Sequence, residues 1–211
     1  MNSIVEAAPR AAMEDVLDGL TEQGYAVVPD FLPESLRNAL YQQAVQSYQS
    51  DGMHRASIGQ GRDNQINTSI RGDSIVWLDG STPAQRDFLE RMDAYRALLN
   101  RSLYLGINNY EAHFAYYPPG RYYRTHWDNF RGRSNRLVTT VLYLNPHWSS
   151  DCGGELVLYA EDEKTVRETI VPQPGMLVTF MSAQIPHEVR PTHQPRVSIA
   201  GWMRRDSILS R

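Results

Sequence analysis

Two histidines, an aspartate and an arginine in the C-terminal half of this chain have the types and spacing of a metal-and-acid site: His126-x-Asp128, then His187, then Arg196, with Tyr143 between. Two imidazoles and one carboxylate form the ligand set with which non-haem iron(II) leaves positions open for substrate and oxygen. Alternate residues of a β-strand share one face. A strand ending at Thr125-His-Trp-Asp-Asn129 therefore presents His126 and Asp128 together while Trp127 points away. A lone H-x-D is most often a surface pair. What raises it to a ligand set is His187, in Gln184-Ile-Pro-His-Glu-Val-Arg-Pro191, which follows the apolar, strand-like run Met176-Leu-Val-Thr-Phe180.

Arg196 opens Arg196-Val-Ser-Ile-Ala-Gly-Trp202. Alternation puts Arg196, Ser198, Ala200 and Trp202 on one face, and Val197, Ile199 and Met203 on the other. An arginine on a face with two small residues and a tryptophan suits a cavity with a cationic floor, and its planar fork grips a carboxylate bidentately. The alternative is that Arg196 pairs with an acid such as Glu155 or faces solvent. Tyr143, on a face with Val141, Thr139 and Leu137, could donate a second hydrogen bond to the same carboxylate, or be an ordinary core tyrosine. Tyr117, before Pro118, can reach the same place from an earlier strand. His193 is a rival ligand in an exposed turn; His113 reads as a core or supporting residue, and His54 and His147 fall in loops.

Elements must bring these residues together. Helical spacing predicts helices over 12–23, 33–49 and 83–105, the last through Phe88, Leu89, Met92, Tyr95, Leu98 and Leu99. Short strands are expected at 25–28 and 75–78, and the polar, glycine-bearing stretch 50–67 reads as a long loop or mobile hairpin, of the kind that tends to be functional or disordered. From Tyr110 the chain turns to β, with strands at 110–117, 121–127, 136–145, 154–160, 166–171, 176–180 and 196–203. The fold class is mostly β with supporting helices (α+β), a sandwich or barrel at about 110–206 with the helices of about 12–105 outside, in one domain over 1–211.

A net charge of −3 and a pI near 6.1 carry no nucleic-acid footprint, although Arg131, Arg133 and Arg136, and Arg204 and Arg205, make local basic clusters. Cys152 is the only cysteine, which excludes an internal disulfide and a cysteine-built zinc site. With no leader-like N-terminus and no bilayer-length apolar run, the expectation is a cytoplasmic protein without membrane contact.

The ordered set His126-Trp-Asp-Asn129, Tyr143-Leu-Asn145, Gly153-Gly-Glu-Leu156 and Pro186-His-Glu-Val189, then Arg196 and Trp202, resembles the iron(II)/2-oxoglutarate-dependent prolyl 4-hydroxylases. The likeness is greatest to the hypoxia-inducible-factor prolyl hydroxylases and their bacterial homologues. It extends upstream through Gly24-Tyr-Ala-Val-Val-Pro-Asp-Phe-Leu32 and Ile70-Arg-Gly-Asp-Ser-Ile-Val-Trp77, and so over nearly all of residues 12–206.

The resemblance implies a double-stranded β-helix (jelly-roll) core, Fe(II), 2-oxoglutarate and O2 as co-substrates, and ascorbate as a reductant. It further implies hydroxylation of a proline in a protein, with succinate and CO2 as co-products. By position His126, Asp128 and His187 carry over as iron ligands, Arg196 and Tyr143 as contacts of the 2-oxoglutarate C5-carboxylate, and Tyr117 as a further pocket residue. Arg136, Arg71 and Asp73 match positions near the substrate entrance, and Trp202 joins this substrate-binding set. Two departures stand out. Ala200 replaces a hydroxylated residue of the family pattern, and the turn between Tyr117 and His126 is a residue shorter. The bacterial precedent points to a translation elongation factor as the protein partner; oligomeric state is not implied. Two other readings remain at this level: the same chemistry on a free amino acid or other small molecule, and a metal- or acid-binding module without turnover.

Overall fold

A computed structural model describes residues 10–56, 67, 69–129 and 134–206. Three helices, α1 (Arg10–Glu22), α2 (Glu34–Gln49) and α3 (Pro83–Leu103), accompany eleven strands among these residues. The strands are β1 (Tyr25–Val28), β2 (His54–Arg55), β3 (Ser74–Trp77), β4 (Asn109–Tyr117), β5 (Tyr123–His126), β6 (Arg136–Tyr143), β7 (Leu156–Tyr159), β8 (Val166–Ile170), β9 (Leu177–Met181), β10 (His187–Val189) and β11 (Arg196–Arg204). They form a seven-stranded sheet, β1-β9-β6-β11-β4-β3-β2, and a four-stranded sheet, β5-β10-β7-β8. All named pairings are antiparallel.

The large sheet has two apolar faces with different partners. On one face Phe114, Val138, Leu142, Leu177, Val197, Ile199 and Met203 meet the helices through Leu36, Leu40, Phe88, Met92, Tyr95 and Leu99. The helical spacing of Phe88, Met92, Tyr95 and Leu99 is what turns one stripe of α3 inward. On the other face Ala115, Tyr117, Val141, Tyr143, Val178 and Phe180 meet Leu156, Leu158, Ile170 and Val189 of the small sheet. Because strand side chains alternate, β11 sends Val197, Ile199 and Met203 to the helices and Arg196, Ser198 and Trp202 into the space between sheets.

Helix boundaries follow local chemistry. Thr82 caps α3 by accepting from the Gln85 amide at 3.2 Å, with Pro83 in the first turn where its missing N–H costs nothing. Pro33 stands one residue outside α2, at ψ 143°, and not inside it as the spacing predicts. Gly24 ends the α1 turn at φ +78°, a conformation that favours glycine.

Two short strands escape the periodicity reading: β2, which takes His54 out of its expected loop, and β10, bracketed by Pro186 and Pro191. A three-residue strand carries no period; pairing to β5 and β7 makes β10 a strand. Residues 57–66 of the expected loop, together with Arg131 and Arg133, lie outside the described residues. No helix among the described residues is long and apolar enough to cross a membrane.

Candidate metal and co-substrate site

His126 and His187 are cross-strand partners in the β5–β10 pair, their ring centroids 4.2 Å apart. Register thus closes the long gap between them in sequence. Asp128 arrives differently from the strand-alternation expectation. β5 ends at His126 and Asp128 lies in the following turn, so a tether and not a pleat fixes its side chain. The tether is the Thr139 hydroxyl of β6, which donates to Asp128 Oδ2 at 2.8 Å. Asp128 oxygens lie 3.8 Å from His126 Nε2 and 3.6 Å from His187 Nε2, and one donor atom from each of the three residues falls within 4.8 Å of the others. Trp127 points elsewhere, its indole N–H donating to Glu163 at 2.8 Å.

The tautomers suit a metal. Nδ1 of His126 faces the Arg124 carbonyl at 2.8 Å, and Nδ1 of His187 faces that of Ile185 at 3.1 Å. A carbonyl can only accept, so each Nδ1 carries the proton and each Nε2 keeps its lone pair for the shared centre. Burial, reinforced by the neighbouring His187, holds His126 well below the usual histidine range, at about 3. Burial works against the Asp128 carboxylate, but the two histidines, Arg136 and the Thr139 hydroxyl together hold it down at about 2. The cluster therefore offers two imidazole Nε2 lone pairs and a carboxylate, a donor set that fits a divalent iron ion.

Deeper between the sheets Arg196 is 1% exposed, with no carboxylate partner among the described residues, which removes Glu155 and solvent as explanations. Nε donates to the Gly154 carbonyl at 2.9 Å and Nη1 to Ser198 Oγ at 3.2 Å, while Nη2 has no partner among the described residues. The Tyr143 hydroxyl is equally buried and, among the described residues, unpartnered. The guanidinium carbon is 5.1 Å from the Tyr143 ring centroid and 5.3 Å from that of Tyr117. Burial pushes the Tyr143 phenol up to about 12 against the pull of the nearby Arg196 charge, so it is a donor at any working pH. Burial likewise raises Tyr117. A buried cation and two unsatisfied donors converging on one spot call for an anionic acceptor, and a carboxylate such as one end of 2-oxoglutarate fits them. Gly154 makes room: at φ +68° it has a backbone suited to glycine, and a Cβ there would stand 2.9 Å from Arg196 Cδ.

Towards the rim the remaining expected residues divide into two groups. The Arg136 guanidinium lies 3.6 Å from the Trp202 ring centroid and bonds Glu111 at 3.2 Å, while the buried Trp202 Nε1 is unpartnered. Trp77, 45% exposed, and buried His113 complete this aromatic wall, with His113–Trp77 centroids at 5.1 Å and His113–Trp202 at 5.4 Å. Arg71 and Asp73 bond each other bidentately at 2.7 and 2.9 Å, and Arg71 stands 4.8 Å above Tyr123. His193 is exposed and faces the Asp151 carbonyl, away from the cluster.

Sequence reasoning assigned no role to Tyr123, Thr139 or Ser198. Tyr123 stacks on the His126 ring at 3.6 Å, a contact made possible by the irregular register between β5 and β10. Thr139 and Ser198 did carry a signal, since each shares the alternation face of a residue already implicated, Tyr143 and Arg196.

Comparison with known proteins agrees with this geometry. Residues 112–204 match the 2OG-Fe(II) oxygenase superfamily. A crystal structure of a Pseudomonas putida prolyl-4-hydroxylase superposes with a TM-score of 0.82 at 36% identity, covering 92% of this chain and all of that one. A Trichoplax adhaerens prolyl hydroxylase, solved with a hypoxia-inducible-factor oxygen-degradation-domain peptide, gives 0.81 at 33% identity, covering 92% of this chain and 89% of that one. Prolyl hydroxylase EGLN3 of Rattus norvegicus is 26% identical over 204 residues, 92% of this chain and 83% of its own length. The identity carried over nearly the whole of both chains places this protein in the 2OG-Fe(II) oxygenase superfamily, among the prolyl hydroxylases.

Proposed function

We propose that this enzyme hydroxylates a prolyl residue of a protein substrate, with His126, Asp128 and His187 holding iron(II) and Arg196 and Tyr143, beside Tyr117, receiving the far carboxylate of 2-oxoglutarate. The observation that carries the reading is Arg196, a buried cation whose Nη2 has no partner among the described residues, next to the likewise unpartnered Tyr143 hydroxyl, in a chain that also brings three metal donors together. An unpaired buried charge costs several kcal/mol as an order of magnitude, so an anion that completes it binds with a large part of its interaction already prepared.

When bound, iron and 2-oxoglutarate together supply oxygen activation and the oxidising power that replaces a C–H hydrogen by hydroxyl, with succinate and CO2 released. The chain's own residues prepare that step. Carbonyl-locked Nδ1 protons aim both Nε2 lone pairs at one point, and Arg196 with Tyr143 orients the co-substrate from its far end. Arg136, Trp202 and Trp77 offer an aromatic wall on which a proline ring can lie. The Arg71–Asp73 pair anchors the segment Ile70–Gly72, whose backbone bonds the Arg124 amide and the Tyr122 carbonyl. No side-chain general base is needed. A translation elongation factor is the first partner to test, and ascorbate the reductant that would keep the iron ferrous.

The experiment is anaerobic: add iron(II) and then 2-oxoglutarate to metal-free protein and follow the visible charge-transfer band of the chelate. The expected result is a band in the wild type that needs far more 2-oxoglutarate in Arg196→Ala. Correctly folded wild type without a band would overturn the metal and co-substrate assignments together.

A further inference from the structure

His126 and His187 belong to the small sheet, but the aspartate of the same cluster sits in a turn that no ladder holds. Its support comes from the opposite sheet. Thr139 of β6 donates to Asp128 Oδ2 at 2.8 Å, and Ser182, immediately after β9, lies 2.9 Å from the Thr139 oxygen. The direction of the second bond follows from proton counting. A carboxylate only accepts, so the single Thr139 hydrogen is committed to Asp128, and the Ser182 hydroxyl must be the donor to Thr139. Both residues are rigidly placed. Thr139 is 2% exposed, paired with Trp202 and Phe180 in the ladders, and Ser182 is fully buried with its amide on the Leu137 carbonyl at 3.0 Å. The same sheet holds the residue after the ligand: the Asn129 amide bonds the Ser182 carbonyl at 3.2 Å and its side chain bonds the Arg136 carbonyl at 2.7 Å.

We infer that Ser182 and Thr139 form a directed hydroxyl relay that positions Asp128, fixing the carboxylate through Oδ2, the oxygen that also lies 3.6 Å from His187 Nε2. Thr139 is thus a positioning residue. It ties the one ligand that lacks a strand to the sheet carrying Arg196 and Tyr143, and so joins the metal end and the acid end of the site. The inference rests on the proposed reading of His126, Asp128 and His187 as ligands.

The test uses cobalt(II) as the probe metal, titrated into metal-free full-length protein and followed by its visible d–d absorption, a readout independent of turnover. Thr139→Val keeps the shape of the side chain and removes the donor; it is expected to weaken cobalt(II) binding about ten- to a hundredfold and to change the band shape. Thr139→Ser restores the hydroxyl and is expected to return both affinity and spectrum to near wild type. Ser182→Ala removes only the backing donor and is expected to weaken binding less than Thr139→Val. Wild-type affinity and spectrum in a folded Thr139→Val would overturn the relay. If Thr139→Val fails to fold, Thr139→Ser and Ser182→Ala decide: a Ser182→Ala titration identical to wild type overturns it. Asp128→Ala separates the two levels of argument. Loss of cobalt(II) binding there with none in Thr139→Val refutes the relay alone, whereas undiminished binding in Asp128→Ala refutes the ligand set beneath it.

Discussion

Replacing Tyr143 by phenylalanine should change stability and ligand affinity in opposite directions through a single atom. The ring is 1% exposed and packs among Ala115, Val141, Val178 and Phe180, contacts that phenylalanine keeps. Among the described residues the hydroxyl has no well-formed hydrogen bond, only the Arg196 guanidinium beside it. A buried unsatisfied hydroxyl costs about 1–3 kcal/mol, so without 2-oxoglutarate Tyr143→Phe is expected to be more stable than wild type by about 1 kcal/mol or more. With 2-oxoglutarate the same oxygen donates to a carboxylate, a bond worth about 1.5–3 kcal/mol, and the dissociation constant should rise about ten- to a hundredfold. Those numbers fix a further quantity. At a 2-oxoglutarate concentration about a hundred times the wild-type dissociation constant, ligand stabilises the native state by about 2.7 kcal/mol. A variant binding about thirtyfold more weakly would gain under about 1 kcal/mol at that concentration. The assay is urea unfolding at fixed iron(II), without oxygen, in the presence and absence of 2-oxoglutarate. A variant less stable than wild type without ligand, yet equally stabilised by it, would refute the reasoning and return Tyr143 to the role of an ordinary core tyrosine.

The remaining predictions concern other parts of the same machinery. His187→Ala should abolish succinate formation while leaving the unfolding transition of the metal-free protein largely in place; retained turnover would remove His187 from the ligand set. Gly154→Ala puts a Cβ 2.9 Å from Arg196 Cδ on a φ +68° backbone, so it should weaken 2-oxoglutarate binding at least tenfold and leave cobalt(II) affinity within a few-fold, measured by the two titrations above. His113 gives a pH dependence. Burial, reinforced by the charge of Arg71, lowers its pKa to about 4, against 6.5 for an unperturbed histidine. Between those values the unfolded chain binds a proton that the native state refuses, so stability falls as pH drops from 6.5 towards 4 and levels off below. The loss from pH 7 to pH 4.5 is about 2–3 kcal/mol. His113→Leu should be correspondingly less sensitive over that window in urea unfolding of the metal-free protein, and equal slopes for the two proteins would show that His113 is not buried neutral.

Much of this architecture is legible in the chain because it is written in local periodicities. The helical stripe Phe88, Met92, Tyr95 and Leu99 and the alternation from Arg196 to Trp202 each need only a few consecutive residues to state which side faces the core. The same alternation places Arg196 and Trp202 on the site face before any fold is known, and the residue types of His126, Asp128, His187 and Arg196 declare their chemistry. Those features depend on neighbours along the chain, and the sequence by itself determined them.

What the tertiary structure alone decided are relations between segments that no period connects. The β10 strand exists because β5 and β7 flank it, and its register sets His187 opposite His126. Asp128 is not aimed by strand alternation but is drawn in by Thr139 from another sheet. Arg196 proved buried, with Gly154 and Ser198 as its only hydrogen-bond partners among the described residues and Nη2 left over, where the sequence left an acid partner or solvent equally open. Spacing along a chain constrains direction within one element. Distance between elements, and hence whether a donor is satisfied, is set only when two sheets close on each other and exclude water from the space between.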